Sequence, residues 1–82
     1  MMEKKIIVNY FASFREQTGI SEEVIYIDVD NAEQLFDQLK FRHKLMEPIE
    51  NCKVAINGEL AGWNTLICSG DKVLLFPPVA GG

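Results

Sequence analysis

The end of the sequence constrains the fold most, and it reads Phe76-Pro77-Pro78-Val79-Ala80-Gly81-Gly82. An apolar run, Lys72–Phe76, follows a Gly70-Asp71 turn and predicts a last β-strand. Pro77 and Pro78 end that strand because neither has a backbone N–H to donate to a sheet. They also fix φ, so the chain leaves the domain in a stiff, extended direction. We therefore predict one domain over residues 1–78, followed by a flexible tail over residues 79–82.

The tail is built from residues with small side chains after the two prolines. Gly81 and Gly82 lack a Cβ, so their backbone can pass through a channel too narrow for a side chain, with Ala80 and Val79 entering behind them. The reactive group at the tip is the carboxylate of Gly82, which is ionised at neutral pH. Chemistry on a carboxylate needs a better leaving group than oxide, and adenylation by ATP supplies one. The alternative is a frayed end without a function, since termini are usually disordered.

Three stretches resemble the ubiquitin-like sulfur carriers, in particular the small subunits of molybdopterin synthase. These stretches are Gly70 to Gly82, Phe11-Ala12-x-x-Arg15-Glu16-x-x-Gly19, and Val54-Ala55-Ile56-Asn57-Gly58. The C-terminal stretch is the specific part, and the other two support it. The resemblance covers nearly the full chain.

The resemblance implies a sulfur-carrier function rather than an enzymatic one. In this family an E1-like adenylyltransferase uses ATP to adenylate the terminal carboxylate, here that of Gly82, and sulfur transfer then gives a thiocarboxylate. The tail enters the catalytic large subunit and donates sulfur to cyclic pyranopterin monophosphate in molybdenum-cofactor biosynthesis. The family assembles as two small and two large subunits. No stably bound cofactor is expected, because the acyl-adenylate and the thiocarboxylate are transient.

Three other functions remain open from the sequence. The sulfur carrier of thiamine biosynthesis shares the fold and the Gly-Gly end, but its tail usually lacks paired prolines, so Pro77-Pro78 favours the molybdopterin role. A ubiquitin-like modifier would become joined to lysines of other proteins. A β-grasp interaction module with an irrelevant tail would keep its activity without Gly81 and Gly82.

Length and charge restrict the function further. Eighty-two residues make a single domain, and a net charge of −4 argues against nucleic-acid binding and favours a basic partner surface. The apolar run after Lys4-Lys5 is broken at Asn9, so we reject an export signal, and no stretch has transmembrane length. We expect a cytoplasmic protein that binds neither nucleic acid nor a membrane.

The cysteines and the single histidine do not predict a catalytic or metal site. Cys52 and Cys68 have neither disulfide-scaffold nor metal-motif spacing, and both are expected to be buried, inert thiols. His43 has no triad partners and is expected on the surface near a helix end. No metal site and no nucleophile–base pair are predicted.

The order of predicted elements gives the fold class. Five strands are predicted, at Lys5–Phe11, Glu23–Val29, Cys52–Asn57, Glu59–Trp63 and Lys72–Phe76. A short helix is predicted at Ala12–Thr18. A main helix is predicted to begin after its cap, Asn31, and to carry the apolar stripe Ala32, Leu35, Phe36 and Leu39. This order predicts an α+β domain with a mixed sheet of about five strands and one principal helix on one face. The resemblance implies the β-grasp fold, with the first and last strands parallel neighbours.

Details of the connections can also be predicted. Asn57-Gly58 favours a type I′ hairpin turn, because that turn requires positive φ at both central residues. Leu66 is expected to tuck under the sheet. Phe41 falls off the apolar stripe of the main helix and has no predicted place.

Strand parity predicts a partner interface beside the tail. Phe11 and Phe76 should adjoin on the sheet face that the main helix leaves open, with Leu60 nearby and with Pro77 and Pro78 completing the surface. Exposed apolar residues grouped in this way mark interfaces. The alternative is that the two phenylalanines merely cover the edge of the core.

Overall fold

The first and last strands of the chain lie side by side at the centre of one sheet. The structure, a computed structural model, describes residues 2–78. The predictions for Val79, Ala80, Gly81 and Gly82 lie outside the described residues. The elements are β1 (Lys4–Tyr10), α1 (Ser13–Thr18), β2 (Glu22–Ile27), α2 (Ala32–His43), a 3-10 turn (Ile49–Asn51), β3 (Lys53–Ile56), β4 (Glu59–Ala61) and β5 (Lys72–Phe76).

The sheet has five strands in the order β2-β1-β5-β3-β4. β1 pairs with β5 in parallel and with β2 antiparallel, whereas β3 pairs antiparallel with both β5 and β4. The predicted mixed sheet and the parallel pairing of the first and last strands are both confirmed. This topology, with one principal helix, is that of an α+β β-grasp domain.

The core lies between α2 and one face of the sheet. The predicted helix stripe is confirmed, since Ala32, Leu35, Phe36 and Leu39 are all buried. They pack with Ile6, Val8, Tyr10, Phe14, Ile25, Val54, Val73 and Leu75 in a single buried cluster. Burial of this apolar surface is the main stabilising term, at about 25 cal/mol per Å² removed from water.

The N-terminus of α2 is capped by two side chains. Asn31 accepts a hydrogen bond from the backbone N–H of Gln34 at 2.9 Å, as predicted. The Gln34 side chain accepts from the backbone N–H of Asp30 at 2.8 Å, so it reaches one residue further back than a capping box does. Together the two bonds fix where the helix begins.

The β3–β4 hairpin turns at the predicted residues. Asn57 has φ 53° and Gly58 has φ 88°, so both have the positive φ that a type I′ turn requires. Asn57 Nδ2 donates to Asp71 Oδ1 at 2.9 Å, and its Oδ1 accepts from the backbone N–H of Lys72 at 3.0 Å. The hairpin is thereby tied to the start of β5.

The connection before β5 differs from the prediction. Leu66 is 71% exposed and the next residue, Ile67, is only 2% exposed. The Ile67 backbone N–H donates to the Asp30 carbonyl at 2.9 Å, and Leu66 bridges to Asn31. Because adjacent residues of an extended segment point to opposite sides, this register turns Ile67 inward and Leu66 outward.

Other predicted positions are also corrected by the structure. Cys52 is buried, but Cys68 is exposed in the loop before the last turn, so the prediction of two buried thiols was wrong for Cys68. Phe41, for which the sequence predicted no place, is exposed on α2. β1 ends at Tyr10 rather than Phe11, because the backbone turns sharply at Ala12. Within residues 2–78, no helix is both long enough and apolar enough to span a membrane.

Candidate functional site

Two aromatic rings stack at the end of the sheet from which the tail departs. The register between β1 and β5 pairs Asn9 with Leu74 and Tyr10 with Leu75, which brings the next residues, Phe11 and Phe76, together. Their ring centroids are 5.0 Å apart and their planes differ by 7°. The predicted adjacency of the two phenylalanines is confirmed.

The backbone around Ala12 holds Phe11 in this position. Ala12 has φ 50° and ψ −126°, a left-handed conformation that residues with a Cβ rarely adopt. The turn leads directly into α1, whose Phe14 is fully buried and anchors the helix to the core. Strained backbone of this kind is concentrated at functional sites, where the surrounding structure enforces it.

The stacked pair lies on the face of the sheet that α2 does not cover. We call this surface the open face and define it by its strand residues: Lys5, Ile7, Asn9, Glu22, Val24, Tyr26, Lys53, Ala55, Leu60, Lys72, Leu74 and Phe76. Phe11 is 38% exposed beside it and belongs to no part of the buried core cluster. The rings therefore lie outside the core that α2 covers, on a surface from which a partner could contact them.

Leu60 belongs to the same surface, but it is not a strand-register partner of Phe76 or Phe11. Across the sheet, Leu74 pairs with Ala55 and Ala55 pairs with Leu60, so Leu60 lies two strands away from β5. It is 76% exposed. Pro77 is half-buried and Pro78 is exposed directly after β5. The structure thus brings Phe11 and Phe76 together, with Pro77 next in the chain, and leaves Leu60 exposed on the same face two strands from β5.

A polar cluster that the sequence did not predict lies on the other side of the sheet. The Tyr10 hydroxyl donates to the Glu23 carboxylate, and His43 Nε2 lies 2.6 Å from Glu23 Oε2. The rings of Tyr10 and His43 meet edge to face at 5.5 Å. The His43 side chain is only 16% exposed, so the prediction of a surface histidine was wrong.

The cluster shifts the pKa values of its members. Burial opposes ionisation of Glu23, but the hydrogen bonds from Tyr10 and His43, with the charges of His43 and Arg42, outweigh it and lower the pKa of that carboxyl. Burial, followed by the hydrogen bond and charge of Glu23, raises the pKa of Tyr10 strongly. Both pKa shifts favour an ionised Glu23 carboxylate that accepts hydrogen bonds from Tyr10 and His43. The cluster therefore has a structural role.

One signal in the sequence could have revealed this cluster. Glu23 has the same strand parity as Ile25, whose side chain is buried, so its carboxylate had to face the α2 side of the sheet. An inward carboxylate needs a partner, and Tyr10 on β1 and His43 at the end of α2 are within reach.

The other candidate reactive groups have ordinary structural explanations. The Cys52 thiol donates to the Pro48 carbonyl at 3.4 Å, and burial, then the nearby Glu47 carboxylate, raises its pKa, which disfavours the reactive thiolate. Among the residues that the structure describes, no group of three or more His, Cys, Asp and Glu side chains is placed to hold a metal ion.

The fold and the site together define a class of protein. A β-grasp domain whose last strand leads through two prolines into a Gly-Gly end is a member of the ubiquitin-like proteins. The profile of the ThiS family matches residues 8–82. The chain belongs to the ThiS family.

Relatives with known names agree with this membership. The molybdopterin synthase sulfur carrier subunit of Mycobacterium tuberculosis is 32% identical over 81 residues, which cover 95% of this chain and 98% of that one. A solved structure of the putative molybdopterin converting factor, subunit 1, from Pyrococcus furiosus is 31% identical with a TM-score of 0.77, covering 93% of this chain and 99% of that one.

Two further solved structures are informative. SAMP1 from Haloferax volcanii is 27% identical with a TM-score of 0.78, covering 95% of this chain and 99% of that one. A protein–protein complex of subunits 1 and 2 of the molybdopterin-converting factor from Helicobacter pylori contains a chain that is 29% identical, with a TM-score of 0.62 and coverage of 95% and 99%.

Proposed function

We propose that this protein is the sulfur carrier that serves as the small subunit of molybdopterin synthase. The observation that carries the proposal is the stacked Phe11–Phe76 pair on the open face where β5 leads into the tail, in which Phe11 is exposed and Phe76 is half-buried. An aromatic anchor beside the base of the tail suits a protein that docks on a partner and inserts its end. The names of the Mycobacterium tuberculosis and Pyrococcus furiosus relatives support the same function.

The proposed chemistry takes place at the carboxyl carbon of Gly82. The carboxylate attacks the α-phosphorus of ATP, which releases pyrophosphate and leaves an acyl-adenylate. A sulfur donor then replaces AMP, and the product is a thiocarboxylate. The thiocarboxylate sulfur forms a bond to a carbon of cyclic pyranopterin monophosphate. Water then cleaves the bond between that sulfur and the carboxyl carbon, so the sulfur stays on the pterin and Gly82 returns to a carboxylate. The activating enzyme and the large subunit supply the catalysis, while this chain supplies the sulfur and the means of docking.

The partner proposed for the sulfur-transfer step is the large subunit of the synthase. The Helicobacter pylori relative is seen in a complex of subunits 1 and 2, which supports this choice. We assign the interface to Phe11, Leu60, Phe76, Pro77 and Pro78. Aromatic residues that fill a pocket near the centre of an interface dominate binding energy, so the stacked pair is its proposed anchor.

Variants of the tail test the proposal directly. Deletion of Gly82 moves the reacting carboxyl back by roughly 3.3–3.6 Å of extended chain, and even 1 Å of misplacement can cost about 10²-fold in rate. Addition of one residue after Gly82 should be as harmful, and Gly81→Val keeps the length while adding a branched side chain. All three variants should melt like the wild type and fail in sulfur transfer.

The measurement is intact mass spectrometry after incubation with the activating enzyme, ATP and a sulfur donor, followed by an assay of pterin sulfuration with the large subunit. Only the wild-type chain should acquire the mass of one oxygen-to-sulfur exchange and then lose it again. Transfer at the wild-type rate by the one-residue extension would show that Gly82 does not carry the reacting group.

A protein modifier is the second candidate function, favoured by the similarity to SAMP1, a small archaeal modifier protein. In that case the activated Gly82 carboxyl would acylate lysine amines of other proteins. Tagged wild-type protein would then form covalent conjugates in extracts of its own cells, and the chain lacking Gly82 would not. Absence of such conjugates would leave sulfur transfer as the function.

A further inference from the structure

The open face carries charge of the opposite sign to the chain as a whole. Three lysines, Lys5, Lys53 and Lys72, lie on open-face positions of the strands and all are exposed. Of the twelve acidic residues, only Glu22 occupies an open-face position of a strand. The strand residues that define this face therefore carry three positive charges and one negative charge, whereas the whole chain has a net charge of −4.

In the part of the chain that the structure describes, the three lysines form no ion pair with an acidic residue. Within residues 2–78, none of their ammonium groups lies within 4.0 Å of a carboxylate oxygen. Glu22 is at the outer edge of the sheet on β2, and its carboxylate already accepts a hydrogen bond from Asn9 Nδ2 at 3.0 Å. Within the described residues, the three ammonium groups on this face are thus not held in ion pairs.

Two of the lysines flank the apolar part of the same face. Lys53 is the register partner of Phe76, so its side chain lies beside the stacked rings. Lys72 pairs with Ile7 at the other end of β5, and Leu74 lies between Lys72 and Phe76 on that strand. An apolar centre bordered by exposed charges is the usual anatomy of a protein–protein interface.

We propose that the open face docks on an acidic protein surface, with Lys53 and Lys72 pairing with carboxylates that border the partner's apolar pocket. This inference rests on the proposed function, in which the partner is the large subunit that receives the tail. The partner surface proposed here is acidic, whereas the net charge of the chain predicts a basic one. The difference arises because the lysines on the docking face are closer to the partner than the acidic residues elsewhere on the chain. Charged residues at an interface rim act mainly on the association rate.

The test is the association rate constant for the large subunit of the same organism's synthase, measured by stopped flow as salt is raised. The variant is Lys53→Glu with Lys72→Glu, and the matched control is Lys40→Glu with Lys44→Glu, which makes the same charge change at the end of α2. If the variant with two glutamates has a clearly lower Tm than the wild type, Lys53→Gln with Lys72→Gln replaces it, because that pair removes the two positive charges without adding negative ones.

The expected result is a loss of about tenfold in association rate at low salt for the open-face variant, which shrinks at high salt as the charges are screened. The control should keep or slightly raise the rate. An open-face variant that associates as fast as the wild type, or faster, would overturn the inference while leaving the proposed function standing. Failure of the wild-type chain to bind the large subunit at all would overturn the proposed function and this inference with it.

Discussion

The hydrogen bond from Tyr10 to Glu23 should make a measurable contribution to stability. Tyr10 is almost fully buried, and its hydroxyl donates to a carboxylate that also binds His43. A hydrogen bond to a charged group contributes about 1.5–3 kcal/mol to the free energy of unfolding. Tyr10→Phe removes the hydroxyl and keeps the ring, so we expect that loss, and in a domain of this size it lowers Tm by roughly 6–24 °C.

The effect should depend on pH in a direction set by Glu23. Its pKa is lower in the folded state than in the unfolded chain, so the unfolded state binds more protons in acid. The contribution is present above the ordinary Glu pKa of about 4.3 and is lost as pH falls through the lowered value. Tyr10 has its effect in the alkaline range. Because its pKa is raised in the folded state, its contribution to stability is present below about pH 10 and is lost as pH rises above that value.

The assay is urea unfolding followed by circular dichroism at several pH values. Tyr26→Phe is the matched control, since it removes the same atom from a tyrosine that is exposed on the open face. Tyr10→Phe should differ from the wild type most near neutral pH and least in acid. Equal midpoints for Tyr10→Phe and the wild type at neutral pH would refute the reasoning.

Four further substitutions test three other parts of the structure. Phe76→Ala should weaken partner binding by about 2 kcal/mol or more and should lower the free energy of unfolding by less than that. Calorimetric titration measures the binding and thermal melting measures the stability. Unchanged affinity with a large loss of stability would contradict the proposed interface. Ile67→Ala should cost about 2–5 kcal/mol in urea unfolding and Leu66→Ala within about 0.5 kcal/mol, and the reverse order would contradict the observed register. Ala12→Gly should raise the unfolding free energy by about 1 kcal/mol, because glycine tolerates its left-handed backbone; a loss would show that Ala12 is not strained.

The sequence predicts those elements whose pattern is local. The bounds of β5 are as predicted, because a turn precedes the strand and two prolines follow it. The apolar stripe of α2 is also as predicted, because a 3.6-residue period over twelve residues places the apolar side chains on one face of the helix, and that face packs on the sheet. The central position of β5 beside β1 came from the family resemblance, because pairing of distant strands leaves no local signal.

The features that the sequence did not predict depend on contacts between distant residues. Glu23 and His43 are 20 residues apart, and although strand parity places the Glu23 carboxylate on the inward face, it does not identify the partners of that carboxylate. The choice between Leu66 and Ile67 depends on one backbone hydrogen bond to Asp30 in another segment. Composition and periodicity do not encode such bonds, so both errors arise from tertiary structure overriding a plausible local interpretation.

The place of β5 in the sheet explains why the base of the tail is a fixed point. β5 is hydrogen-bonded on both sides, to β1 and to β3, and its inward residues Val73 and Leu75 are almost completely buried. A strand held in this way does not shift relative to the open face without breaking both pairings and the core. Phe76 and Pro77 therefore leave the sheet at a defined position beside Phe11. If docking fixes the open face against a partner, the position at which the tail enters that partner is fixed as well, and chain length alone then decides where Gly82 arrives.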